Sequence, residues 1–352
     1  MTVLDLKKNL GQLLNVGFWG TTPEDPWVKI LSRQIEAGKV GSIIFFGYNI
    51  QSPDQLLTLT SYFKSLKAPF PLLISVDEEG GKVQRLSSQK GFTDVWGAEK
   101  LSETLSPEEA YGYYEALAQK LKQFGFNLNF APVVDLNPKM GSKCPVIGAL
   151  GRSYGSDPQA VISYARSFLK SHSDFDILTC LKHFPGHGRS QTDTHLEFSD
   201  VTETWTEEEL LPYEALLNEA PCIMTSHLSH QQWGGKLPLT FAREFLTGVL
   251  REKMGFSGVI TTDDLHMGAI QQVMGTEEAA LKALLAGHDL LTISNNPNAC
   301  SSLKGFVPSP EGVEDILRTL IVALDDKILP VTLLSRAIQR VLTLKKRISS
   351  LV

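Results

Sequence analysis

SGVITTDD, residues 257–264, is a run of six uncharged residues that ends on two adjacent aspartates. Apolar side chains at consecutive rather than alternate positions mark a strand buried on both faces, the habit of parallel sheets. Carboxylates at the end of such a strand are costly inside a core unless solvated or paired, so this tip must reach a site or a cap. Seven further runs share the form: 12–18 (QLLNVGF), 42–47 (SIIFFG), 72–76 (LLISV), 126–134 (FNLNFAPVV), 177–182 (ILTCLK), 221–227 (PCIMTSH) and 288–293 (HDLLTI).

Between these runs lie amphipathic segments near 27–37, 53–66, 107–124, 157–172, 206–218, 240–253 and 275–286, with two more near 310–325 and 331–347. Three open on helix-start signals: Ser52 before Pro53, Ser106-Pro107 with glutamates following, and Thr206 before three glutamates. Eight strand–helix alternations predict an α/β protein with a single (β/α)8 TIM-like barrel, residues 1–352 forming one domain. An open doubly wound sheet is the alternative. Asp77, Asp135, Lys182-His183, His227 and Asp263 all stand at strand ends. In a barrel those ends converge on one mouth, where the long stretches 78–105 and 136–156 would serve as loops.

The 352 residues, 42% hydrophobic and 20% charged, are enough for a full core, and a net charge of −6 disfavours nucleic acid or an anionic membrane as partner. The four cysteines form no CxxC pair; Cys180 and Cys222 sit in apolar runs and read as buried free thiols. The first twenty residues lack the basic, apolar and small-residue regions of a signal peptide, so a cytoplasmic location is expected. An acidic single domain suggests a monomer.

The segment 181–195, LKHFPGHGRSQTDTH, gathers one lysine, three histidines and one aspartate. Asp193 and His195 are two apart, so in extended chain they share a side and the carboxylate can orient and charge the imidazole. That makes His195 a candidate proton donor; a solvated loop histidine is the plain alternative. His183 and His187 invite a zinc reading, but Pro185-Gly186 between them disfavours the helix that would bring them together, and a structural turn fits better. Of Asp263 and Asp264 only one should face the mouth, as nucleophile or base, while a helix cap is the other reading. Asp77 to Arg85, DEEGGKVQR, turns through Gly80 and Gly81 and offers an acceptor and a rigid donor fork for sugar hydroxyls. It lacks the GxxxxGK[ST] of a phosphate loop, and its three acidic residues repel anions.

These residues resemble glycoside hydrolase family 3, and within it the single-domain β-N-acetylglucosaminidases of the NagZ type. The matching segments are VDEEGGKVQRL (76–86), FNLNFAPVVDLNP (126–138), GRSYGSDP (151–158), LKHFPGHGRSQTDTH (181–195) and GFSGVITTDDLHMG (255–268). KHFPGHG followed by D-[ST]-H at this spacing is the specific part. The resemblance implies a barrel hydrolase that retains configuration through a glycosyl-enzyme intermediate. Asp263 would be the nucleophile, and His195, oriented by Asp193, the general acid/base. Asp77, Arg85, Arg152, Lys182 and His183 would hold the N-acetylglucosamine unit. It implies no metal or organic cofactor. The implied partner is a small carbohydrate of the N-acetylglucosaminyl-anhydro-muramyl-peptide type, met during bacterial peptidoglycan recycling. Three departures bear on substrate range: His266 replaces a small residue beside the nucleophile, Glu78 replaces a glutamine, and residues 189–192 differ. Rival readings are attack by the substrate's own acetamide, a phosphorylase or another β-glycosidase, a zinc hydrolase, and a carbohydrate-binding barrel without turnover.

Overall fold

The computed structural model describes residues 1–138, 144–194, 199–296, 299 and 307–349. All eight expected strands form: β1 (Leu14–Gly17), β2 (Ser42–Phe45), β3 (Leu73–Val76), β4 (Leu128–Asn129), β5 (Leu178–Phe184), β6 (Cys222–Thr225), β7 (Val259–Thr262) and β8 (Leu291–Ile293). Every strand residue is buried. Each strand pairs in parallel with the next, β1 pairs with β8, and a bridge between Thr261 and Leu290 joins β7 to β8. The ring is the expected (β/α)8 barrel rather than the open sheet.

Its interior is not wholly apolar. The Asn15 side-chain oxygen accepts hydrogen bonds from Ser42 Oγ at 2.7 Å and Ser75 Oγ at 3.3 Å, and its Nδ2 donates to Thr292 Oγ1 at 3.3 Å. Four strands thus satisfy one another's buried polar groups, as a water-free interior requires. Cys180 and Cys222 are buried free thiols, paired in register across β5 and β6.

Helices cover the ring, with Pro26–Glu36, Pro53–Ser65, Pro107–Gln123, Pro158–Asp174, Thr276–Ala286, Gly312–Asp325 and Val331–Ser349 close to the expected bounds. Ser52 accepts from Gln55 N, and Ser106 and Glu109 form a reciprocal capping box. Thr206 makes no side-chain cap: the segment splits into a 3₁₀ turn at Glu207–Leu210 and a short helix at Leu211–Leu216, with Pro212 in its first turn. The 240–253 segment is a π-helix over Glu244–Lys253. β4 is shorter than the 126–134 run because Pro132 has no N–H for the ladder. Helices at Val3–Asn9 and Ala98–Thr104 were not apparent from periodicity, nor was a two-residue parallel pair of Ser199–Asp200 with Leu228–Ser229. Among the described residues no helix is long and apolar enough to cross a membrane.

Candidate active site

At the C-terminal ends of the strands opens a cavity of about 450 Å³ lined by Asp77, Glu79, Arg85, Arg152, Lys182, His183, Asp193, Asp263 and Asp264, with Phe46, Val146, Leu150, Met224 and Met267 among its apolar lining. One turn supplies much of it. β3 ends at Val76, so Asp77 and Glu79 follow two apart, and the chain then reverses through Gly80 (φ 92°) and Gly81 (φ 60°). A Cβ on Gly80 would lie 2.2 Å from the Trp96 carbonyl oxygen, so only glycine fits.

The charged side chains form one chain of contacts. Arg85 Nη2 lies 3.5 Å from Asp77 Oδ2, and Lys182 Nζ reaches Asp77 Oδ1 at 2.8 Å and Glu79 Oε1 at 2.6 Å. Arg152 grips Glu79 with two bonds of 2.8 Å, donates Nη1 to the Val146 carbonyl at 2.8 Å, and sends Nη2 to His183 Nε2 at 3.3 Å. Burial opposes charge on Glu79, yet Arg152 and Lys182 overcome it and hold the carboxyl far below its ordinary range. Burial likewise opposes charge on Lys182, but Asp77 and Glu79 raise its proton affinity. Opposite charges in contact at Glu79, Lys182 and Arg152 are what let this part of the network persist at such depth.

Beneath it, Asp135 is fully buried. Its Oδ2 meets His183 Nδ1 at 2.8 Å, and its Oδ1 accepts the backbone N–H groups of His183 (3.0 Å) and His187 (2.8 Å). Burial alone would raise this carboxyl; the His183 ring and the amide bonds bring it below the usual value. A His183 ring with its proton on Nδ1 satisfies both Asp135 and the donor from Arg152.

Asp263 and Asp264 divide as their alternation demands. Asp263 follows β7, donates its amide to the Thr225 carbonyl at 3.2 Å, and is half-buried in the cavity. Asp264 turns into the protein, where its Oδ1 accepts from Ser294 N (2.9 Å) and His266 N (3.0 Å) and its Oδ2 accepts from Ser294 Oγ. Burial pushes Asp264 up to about 6 against those bonds. Its own amide donates to Asp263 Oδ1 at 2.8 Å, which fixes the rotamer of the half-buried partner.

After β5 the chain packs tightly. A Cβ on Gly188 would fall 1.5 Å from the Leu136 carbonyl oxygen. His187 is buried, its Nδ1 at 2.9 Å from Ser190 Oγ and its Nε2 at 3.2 Å from Thr194 Oγ1; burial lowers it to about 4. The turn expected for His183 to His187 is what forms, and the two rings have different partners. The Thr194 carbonyl accepts the Ala269 amide at 3.3 Å, tying this loop to the one after β7. Asp193 lines the cavity, and His195 lies outside the described residues.

The structure therefore brings Asp77, Arg85, Arg152, Lys182, His183, Asp193 and Asp263 to one cavity. Two expected members of the mouth are displaced from it. Asp135 supports His183 from below, and His227 is buried between Thr240 Oγ1 (2.7 Å) and the Asp264 carbonyl (2.9 Å). His266 is buried and is not among the residues that line the cavity; burial lowers it to about 4, and it accepts the Asn295 amide at 3.2 Å. Glu78 points away from the cavity, accepting the amides of Arg85 (2.7 Å) and Leu86 (3.1 Å) beside Lys120, so any effect it has on the cavity is indirect. Arg189 pairs with Glu208 and Glu209. Glu79 was overlooked, although the two-residue spacing that linked Asp193 to His195 also puts it beside Asp77.

The model of the Glycosyl hydrolase family 3 N terminal domain matches residues 5–344. A curated protein called Beta-hexosaminidase from Alkalilimnicola ehrlichii is 34% identical over 288 residues, 79% of this chain and 80% of that one. Among solved structures, a glycoside hydrolase family 3 β-N-acetylglucosaminidase from Paenibacillus sp. superposes with a TM-score of 0.85 at 30% identity, covering 98% of this chain and 62% of its own. A β-N-acetylhexosaminidase from Beutenbergia cavernae gives 0.84 at 26% identity, covering 97% and 98%. With barrel, cavity and matched length in agreement, the chain belongs to glycosyl hydrolase family 3 and is a glycoside hydrolase.

Proposed function

We propose that this hydrolase is a retaining β-N-acetylglucosaminidase, residues 1–352 acting as one catalytic domain, which removes terminal N-acetyl-β-D-glucosamine from muropeptide-type glycosides. The observation that carries the reading is the half-buried Asp263 carboxylate, held in its rotamer by the Asp264 amide and sharing one cavity with the Asp77–Lys182–Glu79–Arg152 chain. The names of the relatives support the sugar, and the resemblance of the motifs supports the setting, peptidoglycan recycling by a cytoplasmic monomer.

Retaining hydrolysis needs a nucleophile and a group that first donates and then accepts a proton. Asp263 attacks the anomeric carbon as the bond to the aglycone oxygen breaks, and His195, as imidazolium oriented by Asp193, protonates that oxygen. Water then attacks the glycosyl–Asp263 ester while neutral His195 takes its proton, restoring both groups. A histidine, with an unperturbed pKa of about 6.5, serves both steps near neutrality. Asp77, Arg85 and Lys182 hold the sugar hydroxyls, and His183, whose ring nitrogens are engaged by Asp135 and Arg152, lines the pocket beside them and positions Arg152. Arg152 has spent four of its five donors on Glu79, Val146 and His183, which leaves one Nη1 proton for the substrate. Leaving aside the inward-turned Asp264, four carboxylates face three cations among the described lining residues, an excess that favours the positive charge of the oxocarbenium-like transition state.

The test is release of the aryl group from an aryl N-acetyl-β-D-glucosaminide by wild type and Asp263→Ala. Activity in the first and none in the second is expected. Inactive, folded wild type overturns the substrate assignment, and an active variant overturns the nucleophile. His195→Ala should cost on the order of 10²–10⁴-fold on a natural disaccharide and far less on aryl glycosides, whose leaving group needs little protonation.

A further inference from the structure

We infer that Glu78, a buried side chain outside the cavity, is the positioning residue for Arg85 and thereby sets the affinity of the site for its sugar. This rests on the reading of Arg85 as a sugar contact, and adds what holds that contact in place.

Arg85 is loosely held by its own side chain. Arg152, the other arginine of the described lining, makes four hydrogen bonds of 2.8–3.3 Å to Glu79, Val146 and His183. Arg85 reaches one carboxylate, Nη2 to Asp77 Oδ2 at 3.5 Å, and its guanidinium carbon lies 5.9 Å from the centre of the Phe46 ring. Its Nε is buried without an acceptor among the described residues. One bond at the outer limit of hydrogen-bond length does not offset the rotamer freedom of so long a side chain. The placement of the guanidinium fork therefore depends on where the backbone sets the Arg85 Cα.

That backbone emerges from a turn that satisfies only itself. The amides of Glu79 and Gly80 bond the Val83 carbonyl at 3.0 and 3.1 Å, and the Val83 amide returns to the Gly80 carbonyl at 3.2 Å. Beyond it, the Arg85 and Leu86 amides both go to one carboxylate oxygen, Glu78 Oε2, at 2.7 and 3.1 Å. Bonds from an N–H to an ionised oxygen are roughly twice as strong as those between neutral groups. Glu78 is anchored in turn by Asn129 of β4, whose Oδ1 accepts the Glu78 amide at 3.0 Å and whose Nδ2 donates to its carbonyl at 3.1 Å. The barrel wall thus fixes, through Glu78, the point from which Arg85 reaches into the cavity.

The second carboxylate oxygen carries the charge balance. Glu78 is wholly buried, and that burial raises its carboxyl. Lys120, on the helix Pro107–Gln123, lies 3.5 Å from Oε1 and leaves Oε2 to the two amides. An apolar pair of similar volume would serve stability as well as a buried ion pair does. What an apolar pair does not supply is an acceptor for two adjacent interior amides, which need one.

Steady-state kinetics on an aryl N-acetyl-β-D-glucosaminide, with hydrogen exchange at amides 85 and 86, tests this. Arg85→Ala and Glu78→Leu should each raise KM about tenfold with kcat nearly unchanged, the mark of binding shared by ground and transition states. The double variant should be no worse than Arg85→Ala alone, because a displaced arginine has no contact left to lose. Glu78→Gln keeps an oxygen for the amides and should hold KM within about twofold of wild type. Exchange at the two amides should be slow in wild type and Glu78→Gln and fast in Glu78→Leu. If Glu78→Leu does not fold, Glu78→Asp replaces it: the carboxylate stays charged but withdraws by one methylene, with the same rise in KM and the same non-additivity expected. Wild-type KM in the folded Leu or Asp variant, additive losses, or undiminished amide protection overturns the positioning and leaves the sugar site standing. An unaltered KM in Arg85→Ala overturns the sugar contact, and the positioning role with it. The exchange rates read the anchor whatever the substrate, which separates this test from the choice of sugar.

Discussion

The two ends of this barrel both bury carboxylates between cations, and they do opposite things with them. At the mouth Glu79 lies between Lys182 and Arg152, and carboxylates outnumber cations. At the base Asp289 lies between Arg251 and Arg340, and arginines outnumber carboxylates. A buried ion pair by itself therefore does not mark the reactive end. What distinguishes the mouth is a half-buried carboxylate left facing open volume, Asp263, whose neighbour Asp264 has taken the structural duty.

Removing the central carboxylate at each end separates the two roles. Glu79→Ala strands Lys182 and Arg152 in a buried setting, and should cost about 3–5 kcal/mol of stability together with most of the glycosidase activity, read by urea unfolding and steady-state kinetics. Asp289→Asn should cost about 3 kcal/mol by the same route, yet leave kcat unaltered at temperatures where the variant is folded. Equal kinetic damage from both would erase the distinction. Asp264→Asn sharpens it within the mouth: the side-chain oxygen can still accept from the backbone, so the loss should be about 1 kcal/mol, and kcat should change little because the bond that holds the Asp263 rotamer comes from the backbone amide of residue 264, which the variant keeps.

A further effect is one of pH. Burial, then the nearby Asp135 charge, raises Glu209 from 4.5 to about 8. Folding takes up a proton at this group between those values, so its contribution is full below about pH 4.5 and is lost as pH rises through about 8. Glu209→Gln should flatten that fall in melting temperature; an unchanged slope would place the titration elsewhere.

Most of the barrel was legible because strands buried on both faces leave an unbroken apolar run, and each βα unit repeats the signal. The misses have local causes. Pro132 shortens β4, the helix at Val3–Asn9 is too brief for its periodicity to stand out, and Thr206 precedes a 3₁₀ turn whose amides it does not cap. Polar residues at strand ends pointed to the mouth, but sequence gives no depth, so Asp135 and His227 looked equivalent to Asp77 while lying beneath it. His266 shows the same limit: its neighbourhood is legible in the sequence, its burial is not. Glu79 was legible in principle, since it alternates with Asp77 on one side of the chain.

Asn15 sets a constraint on the timing of folding. It lies in the first strand of the barrel, and its amide nitrogen bonds Thr292 of the last, 277 residues later. The β1–β8 pairing therefore has the largest sequence separation of any strand pairing in the barrel, and such contacts are slow to find because loop closure precedes their reward. Until β8 emerges, β1 presents an open edge and an incompletely bonded amide. The nascent barrel is consequently most exposed to misassociation just before its last strand arrives, and seals as a unit when that strand docks.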